Sequence, residues 1–574
     1  MIVERDVPVP MDDGVQLRAD VFRPGGTGRH PVILSCGPYA KGLAFQDGYP
    51  DQWRIMTREH PDVVTGSSGR YQNWEVADPE KWVPDGYACV RVDSRGAGRS
   101  PGRLDPFSLR ETRDLYEGIE WAARQPWSNG KVGLAGISYY AMNQWQVAGL
   151  QPPHLAAMCA WEGAADFYRD AAHHGGILST FWENWYPRQV VTVQHGAGER
   201  GWRSRITGEL AAGPDTFSDD ELERGRADFG AQIRDHPLDD DFYRSRSADW
   251  SRISVPLLSA ANWGGHGLHS RGNFEGFTRA ASPLKWLEVH GLEHWTHFYT
   301  HYGVDLQKRF FACFLHGDEA AWRAQPPVQL QVRTIDGFLE RAEQEWPLAR
   351  TQWSRLYLSA GHRELSTDRA DRDWAGTEQC VSYRADGEGV TFTAPPLTQQ
   401  TEITGPVAAR LFVSSSGPDA DLFLILRVFS PNGTERDFRG AVDPHAPLAQ
   451  GWLRLSHRKL DPDLSREYRP YHAHDEILPV VPGEIYQADV EIWPTSLVIP
   501  AGHRIALTVR GRDYERHHPG GPRLASFGNE MTGCGPFLHN DAQDRPPSIT
   551  GSTQTLWTGG SREAYLLLPV IPAG

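Results

Sequence analysis

A serine able to act as a nucleophile stands out in the decapeptide KVGLAGISYY, Lys131 to Tyr140. Val132, Leu134 and Ala135 read as a buried strand, Gly136-Ile137-Ser138 breaks it, and a helical pattern follows through Met142, Trp145 and Val147. Strand, sharp turn, serine and helix form the nucleophile-elbow arrangement of α/β-hydrolases, in which a strained turn lifts the hydroxyl clear of the sheet. The following helix N-terminus favours the negative charge that forms during acyl transfer. The competing reading is an ordinary strand-to-helix turn whose serine caps the helix. Tyr140 stands where the common motif has its second glycine, with Ala141 next.

A serine nucleophile needs a base, and the base needs a group that fixes its tautomer and stabilises its protonated form. The segment His290-Gly291-Leu292-Glu293-His294-Trp295-Thr296-His297 follows an apolar run, Leu284 to Val289. Counting from the strand end, His294 falls where a base would reach Ser138, with His297 as its competitor. The usual acid slot, after the strand Val255 to Ala261, holds Asn262-Trp263-Gly264-Gly265-His266-Gly267-Leu268-His269 and no carboxylate before Glu275. The strand after the elbow helix ends Ala160-Trp161-Glu162-Gly163, so Glu162 is the expected acid and Asp166 the reserve. A salt bridge from Glu162 to Arg169, or a Ser-His dyad without an acid, are the alternatives. For the oxyanion, the backbone N–H of Tyr139 is one expected donor. The loop Ser35-Cys36-Gly37-Pro38-Tyr39-Ala40-Lys41-Gly42 should lie at the same sheet edge, where the Tyr39 hydroxyl could be the second.

Elements capable of positioning these groups are legible along the chain. Val32 to Leu34, Tyr87 to Val92 and Lys131 to Ala135 are candidate strands, and Glu111 to Arg124 has helical spacing. Alternating strands and helices point to a parallel, doubly wound sheet. From 165 to 248 charged, aromatic and helical stretches carry no clear strand, which reads as a helical cap inserted into the sheet domain. Strands resume before a helix with Leu306, Phe310, Phe311 and Phe314. Beyond 350, short alternating strands broken by Gly, Pro, Asn and Asp suggest a β-sandwich or jelly roll. The expected organisation is therefore 1–164 and 249–349 for the sheet domain, 165–248 for the cap and 350–574 for the sandwich.

Composition narrows the function classes. With 574 residues the chain exceeds one hydrophobic core. A formal net charge of −15 and no basic stripe argue against nucleic-acid binding. No apolar run approaches a membrane span, and the N-terminus carries charges where a signal peptide needs apolar residues, so a cytoplasmic protein is expected. Six scattered cysteines without a C-x-x-C pair read as free thiols rather than disulfides or a zinc site.

Taken in order, VPMDDGVQLRADVFRP, GPYAKG, VRVDSRGAGRSPG, EWAARQPWSNGKVGLAGISYY, GPVAARLFVSSSGPDADLFLILRV and VEIWPTSLVIPAGHRIALTVRG resemble the cocaine esterase-like (CocE/NonD) hydrolases. These are relatives of the Xaa-Pro dipeptidyl-peptidases and α-amino-acid ester hydrolases. The resemblance implies an α/β-hydrolase domain, a helical cap and a jelly-roll domain. It places the family's nucleophile on Ser138 and its oxyanion tyrosine on Tyr39. The family histidine lands on His294 when aligned from the strand and on His297 when aligned on the tryptophan. The family aspartate falls on Gly265, so the resemblance supplies no acid.

The expected activity is hydrolysis of a small-molecule carboxylic ester or amide through an acyl-enzyme, with no metal or organic cofactor required. Acyl transfer and dipeptidyl-peptidase-like cleavage on the same fold are alternatives; the latter needs a cap carboxylate for a free amine, for which Glu183 is a candidate. Phe181, Trp182 and Trp185 could line the pocket or form the cap's own core. A catalytically lapsed binding protein is the alternative from another class, favoured by the vacancy at Gly265.

Overall fold

A computed structural model describes residues 1–368, 377–516 and 524–572. The chain opens with an antiparallel pair, β1 (Ile2–Pro10) and β2 (Gln16–Arg23). Eight further strands complete a 10-stranded sheet: β3 (His30–Gly37), β4 (Ala88–Asp93), β5 (Ser128–Ile137), β6 (Leu155–Trp161), β7 (Leu257–Asn262), β8 (Lys285–His290), β9 (Val328–Arg333) and β10 (Phe338–Glu343). Their spatial order is β1-β2-β4-β3-β5-β6-β7-β8-β9-β10, and the stretch from β4 to β9 is parallel throughout. Every residue of β4 and β7 is buried, as a sheet covered by helices on both faces requires.

The covering helices follow from sequence chemistry. In α1 (Leu109–Ala123), Ser108 caps the N-terminus by accepting from Glu111 N–H, and Leu115, Ile119 and Ala122 form its buried stripe. The elbow helix α2 (Tyr139–Gly149) is buried along its whole length. After β8 comes the phenylalanine-rich helix, His301–Phe311. That helix crosses over, and β9 then adds in parallel and β10 antiparallel.

Between β6 and β7 runs an insertion of short helices, among them α3 (Phe181–Trp185) and α4 (Phe229–Asp235). It also contains a two-stranded hairpin, His173–His174 with Ile177–Leu178, which the absence of any apolar run hides from sequence. Gly175 at its turn has φ 57°, and a Cβ there would lie 2.1 Å from the Trp452 carbonyl oxygen, so only glycine lets the hairpin seat on the C-terminal half.

That half is a 12-stranded, almost wholly antiparallel sheet system that closes on itself. Side-chain alternation along Asp421–Phe429 assigns its two faces. Leu422, Leu424, Leu426 and Val428 enter the domain's own core, while Phe423 packs with Trp452, Trp493 and Ile177 of the insertion. One strand thus serves two interfaces. Among the described residues no helix is long and apolar enough to cross a membrane, and all six cysteines are free, with Cys380 exposed.

Candidate active site

Ser138 sits at the junction of β5 and α2 with φ 56° and ψ −114°, a conformation that a non-glycine residue adopts only under constraint. Two features impose it. Ser138 N–H donates to the carbonyls of Trp161 (3.1 Å) and Glu162 (3.2 Å), and Ile137 N–H donates to the Glu75 carbonyl at 3.0 Å. Gly136 lets the turn close, since a Cβ there would lie 2.4 Å from Tyr140 Cβ. Ala141 is accommodated by Gly163 opposite, whose Cβ would come within 2.6 Å of the Ala141 methyl. The serine therefore does not cap its helix: no side-chain cap bond forms, and the hydroxyl projects to a partly exposed position.

The imidazole that touches this hydroxyl is His269, with Nε2 at 3.2 Å from Ser138 Oγ. The sequence reading put His294 in this place; here His294 bonds to Glu162 and Glu75 and makes no hydrogen bond to Ser138. His269 lies just before α5 (Ser270–Arg279), on the loop after β7, and its Nδ1 has no hydrogen-bond partner among the described residues. Burial, and then the neighbouring His294 charge, hold its pKa well below the usual histidine value.

His294 stacks on His269, ring centroids 4.7 Å apart and planes 12° from parallel. Its Nδ1 donates to Glu162 Oε2 at 3.1 Å, the carboxylate–imidazole pairing expected from sequence. Its Nε2, the nitrogen a serine would use, instead meets Glu75 Oε1 at 2.8 Å. Burial opposes charge on His294, but Glu162 and Glu75 together push its pKa up to about 9. His297 is elsewhere: its Nε2 contacts Gln331 at 3.1 Å and its ring stacks on Tyr302.

Glu162, fully buried at φ 48°, follows β6 directly. Besides His294 it accepts from His290 Nε2 (2.9 Å) and Asn262 Nδ2 (3.2 Å). Burial opposes its ionisation, yet the two imidazoles hold it down at about 2. His290 in turn gives Nδ1 to Glu288 at 2.6 Å. At Gly265, the empty slot, a Cβ would fit tightly, 3.1 Å from Ser270 N and 3.2 Å from the Asn262 carbonyl. Asp166 is not part of this group; it pairs with Arg169 at 2.9 Å and accepts from Tyr471 OH at 3.2 Å.

The loop after β3 brings Tyr39 against the elbow, its ring edge-on to Tyr139 (6.0 Å) and Tyr140 (5.8 Å). Asp93 ties the loop down, accepting from Lys41 N–H at 2.6 Å and Arg99 N–H at 2.8 Å, and Lys41 Nζ lies among Asp6, Asp20 and Asp93. The Tyr39 hydroxyl accepts from Trp185 Nε1 at 3.0 Å. Burial, and then the charge of Glu75, keep the phenol protonated by raising its pKa well above the ordinary value. Trp185 thus faces the site, whereas Trp182 donates to the Ala171 carbonyl at 2.8 Å within the insertion. Phe181 packs on Phe527 and Phe537 from the C-terminal half, so both inserted and C-terminal segments wall the site. Glu183 points away, half-exposed and paired with Arg234.

His269 and Glu75 escaped the sequence reading. His269 stood in the loop recognised as the empty acid slot, and a histidine so close to the missing acid was the available signal. Glu75, in Tyr71-Gln72-Asn73-Trp74-Glu75, gave none.

A sheet with a strained serine at the end of its fifth strand, and imidazoles and a carboxylate on the loops after its sixth to eighth, defines a hydrolase site. The description "X-Pro dipeptidyl-peptidase (S15 family)" matches residues 13–299, and "X-Pro dipeptidyl-peptidase C-terminal non-catalytic domain" matches 320–532. A CocE/NonD family hydrolase from Staphylococcus aureus is 31% identical in sequence, with a TM-score of 0.83, covering 100% of this chain and 94% of its own. A putative serine esterase of Mycobacterium bovis is 26% identical over 88% of this chain and 90% of its own length. The cocaine esterase of Rhodococcus sp. is 25% identical over 99% and 98%. The chain belongs to this S15, CocE/NonD-type family of hydrolases.

Proposed function

We propose that the protein is a serine hydrolase that cleaves a carboxylic ester through an acyl-Ser138 intermediate, on an α/β-hydrolase core with a helical cap and a jelly-roll domain. The observation that carries this reading is the strained Ser138, its hydroxyl on one imidazole and that imidazole stacked on a second that is paired with a buried carboxylate. Ser138 Oγ attacks the carbonyl carbon, His294 takes the hydroxyl proton on Nε2 and later returns it to the leaving group, and Glu162 stabilises the imidazolium. The Tyr139 N–H and the Tyr39 hydroxyl donate to the tetrahedral oxyanion. Water, deprotonated by the same imidazole, releases the acid.

His294 is preferred as the base because it alone of the two imidazoles has a carboxylate on Nδ1 to receive the positive charge. The second reading makes His269 the base, favoured by its 3.2 Å contact with Ser138. Ester cleavage is preferred to dipeptide release because Glu183 is committed to Arg234. Around the site Phe181, Trp185, Phe527 and Phe537 share one apolar cluster with Tyr39, which suits an uncharged, hydrophobic acyl or leaving group. Unpaired thiols suit a cytoplasmic setting.

The test is labelling with a fluorophosphonate, with the modified residue mapped by mass spectrometry. Stoichiometric modification of Ser138, lost in Ser138→Ala and slowed at least about a hundredfold in His294→Asn, is the expected result. Labelling that survives in His294→Asn but not in His269→Asn transfers the base to His269. No labelling of the native chain refutes the hydrolase reading.

A further inference from the structure

We infer that Glu75 is a positioning residue that competes with Ser138 for the reacting nitrogen of His294, and thereby sets the pH range in which the nucleophile is active. The inference rests on the assignment of His294 as base.

Its starting point is geometric. His294 is bracketed by carboxylates, Glu162 on Nδ1 at 3.1 Å and Glu75 on Nε2 at 2.8 Å. Facing two carboxylates, both ring nitrogens carry protons, and an imidazole in that state cannot accept one from Ser138. Glu75 is held there by its backbone: φ is 63°, and its carbonyl accepts from Ile137 N–H at 3.0 Å, one residue before the nucleophile. The carboxylate is buried, and among the described residues its second oxygen, Oε2, has no hydrogen-bond partner.

The surroundings determine where the shared proton goes. Glu162 from the end of β6, His294 from the loop after β8 and the Trp74 indole face Glu75, and His269 stacks on the far side of His294. The phenols of Tyr39, Tyr49, Tyr140 and Tyr299 feel its charge. Burial raises the Glu75 pKa to about 7, with His294 pulling it down and Glu162 pushing it up. His294 lies higher, at about 9, so near neutrality the shared proton stays on Nε2 and Glu75 stays ionised. The nitrogen is freed by a single proton loss as pH rises: the Nε2–H bond breaks, solvent takes the proton, and His294 is left neutral with Nδ1–H still on Glu162. The freed Nε2 lone pair can then receive the Ser138 proton. Below that pH the Glu75 anion holds His294 protonated and the serine idle.

The test compares kcat/KM for a neutral p-nitrophenyl ester across about pH 5 to 10 in the native chain and in Glu75→Gln. Removing the anion lowers the His294 pKa. The ascending limb should therefore move to lower pH by about one unit or more, giving about tenfold higher kcat/KM near pH 6. Glu75→Ala, which keeps the backbone bond to Ile137, should shift the limb the same way and serves if the amide is not tolerated. An unmoved limb, or a fall in kcat/KM at every pH, overturns the inference, since a purely structural carboxylate would change melting temperature without moving the limb. His294→Asn separates the two levels. If that variant keeps native activity, the base assignment itself fails; if it is inactive while Glu75→Gln leaves the limb unmoved, only the role of Glu75 falls.

Discussion

Replacing Glu162 by glutamine removes one negative charge and little volume from a fully buried position. Glu162 is 0% exposed and accepts from His294, His290 and Asn262 at 3.1, 2.9 and 3.2 Å. In the transition state the imidazolium of His294 lies about 4 Å from the centre of that charge, worth about 4 kcal/mol at an effective dielectric of about 20. Converted at about 1.4 kcal/mol per decade, the loss is about a thousandfold in kcat. The amide also presents an N–H to one of two imidazole N–H groups, forcing a tautomer change that adds to the loss. Because Glu162 does not face the acyl group directly, KM should change little. The assay is steady-state hydrolysis of an activated ester by Glu162→Gln, with thermal melting run alongside to separate catalysis from folding. Asp166→Asn is the control: its carboxylate serves Arg169 and Tyr471, so kcat should stay within about threefold of native. A Glu162→Gln variant within about tenfold of native would refute the role of Glu162, and with it the argument for His294 over His269.

Tyr39→Phe should lower kcat by about a hundredfold with little change in stability, because the proposed oxyanion site would lose one of its two donors; equal loss of kcat and of melting temperature would mark the hydroxyl as structural. Acid should loosen the junction between insertion and C-terminal half. Burial depresses His173 and His472 to about 3 and His457 to about 4. For these basic groups the folded state resists a proton that the unfolded chain accepts. Their contribution is thus complete above pH 6.5 and is lost as pH falls from there toward 4, by about 1.4 kcal/mol per unit for each histidine. Calorimetric melting at a series of pH values should show a steep decline below about 6.5, and a flat profile down to about pH 5 would contradict it.

What the sequence by itself determined is what depends on contiguous chemistry. The elbow is a strand, a glycine turn, a serine and a helix in sixteen successive positions or so, and no distant residue is needed to recognise it. The Tyr39 loop carries its turn signal locally in Gly37-Pro38 and Gly42, whereas Asp93, which ties it down, lies 52 residues further on. Glu162 was legible by exclusion, because a histidine base needs a buried anion and Gly265 cannot supply one.

The choice among imidazoles belonged to the tertiary structure. Four histidines lie between 290 and 301 and two more at 266 and 269, and spacing along a loop does not say which ring turns inward. Ser138 meets His269 across 131 residues, and His294 meets Glu75 across 219. Those contacts are set by the parallel register of β5 to β8, which gathers their loops at one edge, and by a backbone bond from Ile137 to Glu75. A sequence pattern reports which face a side chain presents; it carries no record of the partner that another loop brings to meet it.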